Sequence, residues 1–215
     1  MPSSKPPPKS SGVRGEPLRQ HVIDAAERLL RQGKAEFSMR DLAAEAGVSF
    51  ATPFNQFGGK AAIMHAVAGR RVDQMEVRFR EAACAGDVVD RVLLAVDMAV
   101  SVMLEEPVVN RSVMGWLGTA GPVRGEARAR SRALWALALA DGDGLAPDQH
   151  DHALKTLPGQ LALGFRGALS FWTAGEVLDG ELCDSARSVA MAIVSGVLDG
   201  SRRRAIISQA VQPLA

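Results

Sequence analysis

Two adjoining segments constrain this chain more than anything else in it. The first is Ser38-Met39-Arg40-Asp41-Leu42-Ala43-Ala44-Glu45-Ala46-Gly47. The second is Val48-Ser49-Phe50-Ala51-Thr52-Pro53-Phe54-Asn55-Gln56-Phe57, closed by Gly58-Gly59-Lys60. Ser38 and Asp41 form an N-cap signature, a hydroxyl to accept a backbone N–H and a carboxylate near the positive helix end. Leu42 and Ala46 supply an inner face, and the small Ala43 permits close helix contact. Gly47 adopts a positive φ at a turn without steric cost. The pattern predicts two short helices joined by a tight turn. A helix-turn-helix of this kind lays its second helix in the DNA major groove. Phe54 and Phe57 are expected to point inward, packing on the first helix of the chain.

The rest of the chain is helical in its periodicity. Leu18, Val22, Ala25, Ala26, Leu29 and Leu30 repeat at helical spacing between Pro17 and Gly33, predicting helix one. Lys60 opens a fourth helix carrying Ile63, Val67, Val72 and Met75 on one face. Val92, Val96, Val100 and Met103 mark a further helix closed by Pro107. A short apolar piece over 108–117, an amphipathic stretch over 124–139, and long helical segments over 149–174 and 183–204 follow. Pro158 is expected to kink or split the first long segment. No alternating strand pattern of useful length occurs. The expected fold class is all-α. Its domains are a disordered arm over 1–15, a helix-turn-helix DNA-binding domain over 16–62, a helical ligand-binding and dimerisation domain over 63–204, and a flexible tail over 205–215.

Composition excludes several classes. Hydrophobic residues at 47% and charged residues at 23% are ordinary for a globular chain of 215 residues. Cys84 and Cys183 form no disulfide framework and no metal-ligand spacing, so a reduced, cytoplasmic compartment is expected. No apolar run is long enough to span a membrane. His150 and His152 diverge on a helix, so joint metal binding is not expected. Phe57-Gly58-Gly59-Lys60 lacks the leading glycine of a phosphate loop. No catalytic residue, metal or cofactor is expected. Residues 1–60 hold nine Lys and Arg against six Asp and Glu, a net +3 in a chain of net +1. That asymmetry agrees with a DNA-facing end.

Ala25-Ala26 with Leu29, Gly33, Asp41-Leu42-Ala43, Ala46-Gly47-Val48-Ser49, Thr52, Phe54, Phe57 and Lys60 stand at fixed offsets. With them, region 18–67 resembles the DNA-binding domain of the tetracycline-repressor (TetR) family of transcription regulators. The resemblance implies a homodimer, a double-stranded DNA operator, a variable core for a small, largely apolar ligand, and a dimer interface on the last two long helices. Carried onto this chain, the family's base-reading positions fall on Arg40, Phe50, Ala51, Thr52 and Asn55, and its phosphate-gripping positions on Phe54, Gln56 and Lys60. Ser38 and Ser49, read as caps, complete the DNA-facing set. Three departures stand out. Phe54 replaces the family's usual Tyr, Gln56 its usual His, and Pro53 lies inside the recognition segment. With Ser49 as cap, Pro53 removes a helix bond. With Thr52 as cap, it takes the favoured first position. The missing Tyr at Phe54 and the proline at Pro53 also motivate a rival reading, a helical small-molecule or protein-interaction module that has lost sequence-specific DNA binding.

For the ligand pocket the candidates are Asp97, Met98, Met103, Trp116, Trp135, Phe165, Arg166 and Trp172. Asp97 and Arg166 are charges in apolar runs, which mark either a pocket or a structural ion pair. The aromatic and Met residues are equally compatible with plain core. For a two-fold interface the candidates are Leu161, Gly164, Ala168 and Phe171 on one helix, with Ala186, Val189, Ile193 and Val197 on the next. The alternative is that both stripes are core within one subunit. Arg202, Arg203 and Arg204 are expected to complement the negative end of the last helix.

Overall fold

The computed structural model describes residues 12–82, 85–119, 121–123 and 125–210. Most of the expected arm, together with Cys84, Arg124 and residues 211–215, lies outside them. The described residues form ten α-helices: α1 (Gly12–Arg31), α2 (Met39–Glu45), α3 (Ala51–Phe57), α4 (Lys60–Glu81), α5 (Val88–Glu105), α6 (Pro107–Trp116), α7 (Glu126–Leu139), α8 (His150–Ala174), α9 (Leu182–Ser195) and α10 (Gly200–Ala210). Among the described residues the only β pairing is an isolated bridge between Leu145 and Leu198. The fold is all-α, as the periodicity predicts.

Two apolar cores organise these helices. The N-terminal core joins Val22, Ala26 and Leu30 of α1 to Leu42 and Ala46 near α2 and to Phe57 of α3. Ile63 and Val67 of α4 and Val109 and Val113 of α6 complete it. The second core unites Met75 and Phe79 at the far end of α4 with α5, α7, α8 and α9 around Trp135 and Trp172. The first turns of α4, beyond the expected boundary at 62, therefore pack with the N-terminal domain. Two helices, α4 and α6, are built into both cores, Met114 of α6 belonging to the second.

Local chemistry sets the breaks. Asp87 caps α5 by accepting from the N–H groups of Val89 and Asp90. Pro107 stands in the first turn of α6, where no partner for its missing N–H is needed. α8 runs through the buried Pro158 as one helix, so the expected split does not occur. α1 begins at Gly12 and carries Pro17 inside it, because a proline withholds one backbone bond without forbidding a turn before it. The segment expected as one helix over 183–204 is broken between Ser195 and Gly200. There the N–H of Ala146 donates to Val197 O and that of Asp199 to Gly144 O, drawing the chain out of its helix. Asp199 recaps it by accepting from Ser201 and Arg202 N–H groups, and α10 continues past the expected start of the tail. Arg203 donates to Ser195 O and Gly196 O, so it complements the negative end of α9. Arg202 instead pairs with Asp87 and Asp90.

Candidate DNA-binding surface and ligand cavity

The helix-turn-helix is fixed by local caps and by anchors from α1. Ser38 Oγ accepts from Asp41 N–H at 3.2 Å while Asp41 accepts from Ser38 N–H at 2.8 Å, a closed capping box. The Ser38 amide, with its hydroxyl, holds the Asp41 carboxyl below its ordinary range. Gly47 takes φ 62°, and Val48 N–H donates to Ala43 O at 3.0 Å. Arg28 pairs with Glu45 at 2.7 Å, and His21 Nε2 meets Ala46 O at 2.8 Å. Arg19 donates to Gln56 O at 2.7 Å, and its guanidinium lies 4.1 Å from the Phe57 ring centre. That contact places a cation at the negative end of α3.

α3 begins at Ala51, with Phe50 as its capping position. Neither Ser49 nor Thr52 is the cap. Their hydroxyls bond each other at 2.8 Å. Pro53 is thus the third helical residue, in the turn whose N–H groups have no intrahelical partner, and it costs no bond. It is also buried. Phe57 is buried with it, four residues on and on the same helix face. The inward side is thereby filled, and Phe54 is 40% exposed rather than packed on α1. Phe54 stands edge-on to Phe50, itself 53% exposed, at 5.4 Å between centres. Arg40 lies 5.8 Å from the Phe50 ring centre. Arg40, Phe50, Ala51, Phe54 and Asn55 form the exposed face of the motif. Thr52 and Gln56 are half-buried beside it.

Lys60 departs from expectation. Its Nζ donates to Ala35 O at 2.7 Å and sits 4.4 Å from the Phe37 ring centre and 5.2 Å from that of Trp116. Burial lowers its pKa, against the opposing pull of Glu36. The ammonium is turned into the domain, where a carbonyl and two rings replace water.

Between α1, α4, α6, α7 and α8 lies a cavity of about 890 Å³. Met75, Met103, Met114, Leu134, Phe165 and Leu169 give it apolar walls, and His65, Arg130 and Arg166, with the carboxylates of Glu16, Asp73 and Glu126, supply polar groups. Of the expected pocket residues, Met103, Phe165 and Arg166 line it. Trp135 is one layer behind, edge-on to Phe165 at 5.5 Å. Trp172 is fully buried, donating to Asp179 at 2.7 Å with the Arg111 guanidinium 4.5 Å from its ring centre. Trp116 packs against the N-terminal core beneath Lys60. Asp97, with the neighbouring Met98, does not line the cavity: its carboxylate pairs with Arg187 at 2.7 Å and accepts from Cys183. It is a structural ion pair between α5 and α9, not a pocket group.

The expected interface residues also divide. Leu161, Ala168 and Ala186 are buried within the subunit. At Gly164 a side-chain carbon would lie 2.6 Å from Val189 and 2.7 Å from Ile193, so these three close α8 onto α9 within the subunit. Val197 packs against the second core. Phe171 alone of the set is largely exposed, at 55%, and Leu163 on the same helix is 63% exposed. Arg19, His65 and Leu134 were not singled out from sequence. They look like ordinary helix residues until α1, α4 and α7 are brought together.

Residues 22–67 match the model of a family described as bacterial regulatory proteins, tetR family. Two Mycobacterium tuberculosis proteins, from strains CDC 1551 / Oshkosh and ATCC 25618 / H37Rv, are similar to this chain. Both bear the name uncharacterized HTH-type transcriptional regulator. Each is 30% identical over 145 residues, covering 64% of this chain and 68% of the relative. A solved TetR transcriptional regulator from Rhodococcus sp. RHA1 superposes with a TM-score of 0.67 at 20% identity. That match covers 83% of this chain and 97% of the other, and it bears on the fold. Among the described residues no acidic, His or Cys cluster could hold a metal, and no helix is long and apolar enough to cross a membrane.

Proposed function

This chain belongs to the TetR family of transcriptional regulators, and we propose that it acts as a ligand-responsive repressor, binding a palindromic operator as a homodimer. The observation that carries this reading is the exposed face of α3, held by a capped α2 and by Arg19 from behind. Arg40 offers two parallel donors to a guanine edge, and Asn55 matches an adenine edge. Phe50, Ala51 and Phe54 present apolar surface of the kind that meets thymine methyl groups. Thr52 stands at the margin of this face, while Ser38 and Ser49 serve the turn. Lys60 supports the domain from inside, so phosphate contact falls to other groups. The dimer rests on the apolar surface of α8 around the exposed Phe171, beside α9, whereas the exposed Leu163 stands at the cavity wall. The cavity between the domains holds the ligand, which shifts the protein toward a state that fits the operator less well. Such coupling requires different ligand affinity in the two states.

Selection of bound DNA from a random pool tests the reading. A two-fold symmetric consensus is expected, and Arg40→Ala or Asn55→Ala should relax specificity at a defined base in each half. A pool without enrichment, alongside retained ligand binding, would favour the rival module without DNA readout. The inward Lys60 and the missing hydroxyl at Phe54 are what that rival rests on.

A further inference from the structure

Arg166 is out of keeping with the rest of the cavity. Its guanidinium carries five N–H donors. Among the described residues its one polar contact is Nη1 to the Met114 thioether at 3.7 Å, a weak acceptor. Other arginines around the cavity are committed elsewhere. Arg70 pairs with Asp24 at 2.5 Å, Arg130 with Asp73 at 3.1 Å, and Arg19 bonds Gln56 O. Arg128 is exposed to solvent, where an unpaired charge is hydrated. Arg166 is instead half-buried among Met114, Phe165 and Leu169, and burial lowers its pKa with no opposing charge. A buried cation without a counter-charge is costly, and folding gains nothing evident from it. On the same cavity's wall, His65 Nε2 is buried with no hydrogen-bond partner among the described residues.

We propose, resting on the ligand cavity assigned above, that its occupant is a monoanionic amphiphile, a carboxylate on an apolar body, with the carboxylate paired to Arg166. Met75, Met103, Leu134 and Leu169 then hold the apolar body. A neutral ligand leaves the guanidinium unpaired, and a cationic one meets its repulsion, the carboxylates on the wall being taken up by Arg130 (Asp73 and Glu126) and by Gln20 (Glu16). The volume of about 890 Å³ suits a molecule of drug-like size.

The test is calorimetric titration of the full chain with decanoate, decan-1-ol and decylammonium, each below its micelle concentration at neutral pH. Decanoate is expected to bind roughly tenfold or more tightly than decan-1-ol, the scale of a charge-assisted hydrogen bond. Decylammonium should bind weakest. Arg166→Gln should erase the preference for decanoate, and Arg166→Lys should keep part of it. Equal binding of decanoate and decan-1-ol, or a preference that survives Arg166→Gln, overturns the headgroup assignment while leaving the cavity reading intact. Binding of none of the three overturns both. Should Arg166→Gln fail to fold, the wild-type charge series decides alone.

Discussion

Replacing Arg71 by Met should cost about 3 kcal/mol of folding stability, although the side chain touches neither the proposed operator face nor the cavity. Arg71 is 6% exposed and sits where α1, α4 and α6 meet. Its Nε donates to Asn110 Oδ1 at 2.8 Å, and its Nη2 to Glu106 Oε2 at 3.0 Å. Its Nη1 lies 3.3 Å from Glu27 Oε1 and donates to Gln74 at 3.2 Å. Asn110, 1% exposed, spends its own amide on the Val102 and Met103 carbonyls at 3.1 and 2.9 Å. Removing one member of a buried ion network costs roughly 3–5 kcal/mol, mainly because the partner charge stays buried. Glu27 is that partner, at 7% exposure. It keeps Arg31 at 3.4 Å and Arg70 at 3.5 Å, which places the loss at the lower end. In a chain of this size the melting temperature should fall by roughly 6–12 °C. Urea unfolding at fixed protein concentration measures the loss directly. Adding Glu27→Gln to Arg71→Met should recover part of it, giving a double-mutant coupling of about 1 kcal/mol or more. A loss below about 1 kcal/mol, or strict additivity, would show that the two charges are not tied energetically as their geometry indicates.

Two further perturbations probe local points. Pro53→Ala should destabilise by about 1–2 kcal/mol, from lost burial and from the looser unfolded chain. An increase in stability would mean that Pro53 breaks an interior helix bond after all. The second probe is pH. The Arg31 guanidinium, bonded to Glu106, holds that carboxyl below its ordinary range, with the Arg71 charge adding to it. A group with a lowered folded-state pKa contributes stability above its unfolded value and loses it as pH falls through the folded one. The urea midpoint should therefore decline from roughly pH 5 downward, and Glu106→Gln should flatten that decline. Matching wild-type and Glu106→Gln profiles would exclude this source.

What could be seen in advance was local. The Ser38–Asp41 box, the positive φ of Gly47 and the α2–turn–α3 placement depend on residues within a few positions of each other. What was hidden depends mostly on distant partners, and in one case on which side of a short helix is filled. Asp97 looks like a pocket charge until Arg187, 90 residues away, closes on it. Lys60 looks like a phosphate contact until Ala35, Phe37 and Trp116 surround it. Phe54 looks like core until Pro53 and Phe57 are found to share the inward side. Gly164 looks like an interface residue until Val189 and Ile193 reach its backbone. In each case the residue type was informative, and the direction in which its side chain points was not. Direction follows from tertiary contacts that no short-range pattern encodes.

Arg19 is where the cavity and the reading head touch. It lines the cavity, stacks on Phe57 and donates to the last turn of α3 through Gln56 O. A coupling free energy between two sites is typically about 1–3 kcal/mol. One charge-assisted hydrogen bond supplies about 1.5–3 kcal/mol, and a stacked cation adds roughly 0.5–1. The domain interface therefore need not come apart for a ligand to weaken operator binding, because loosening this one contact is of sufficient size. Arg19→Ala should lower operator affinity by roughly tenfold without any ligand. Arg19→Lys separates anchoring from long-range attraction, because it keeps the charge but not the planar stack. If Arg19→Lys binds like wild type and only Arg19→Ala weakens, the residue acts through its field on DNA. If both bind like wild type, α3 is held by its apolar contacts alone, and any signal from the cavity must travel through α4 or α6, the helices built into both cores.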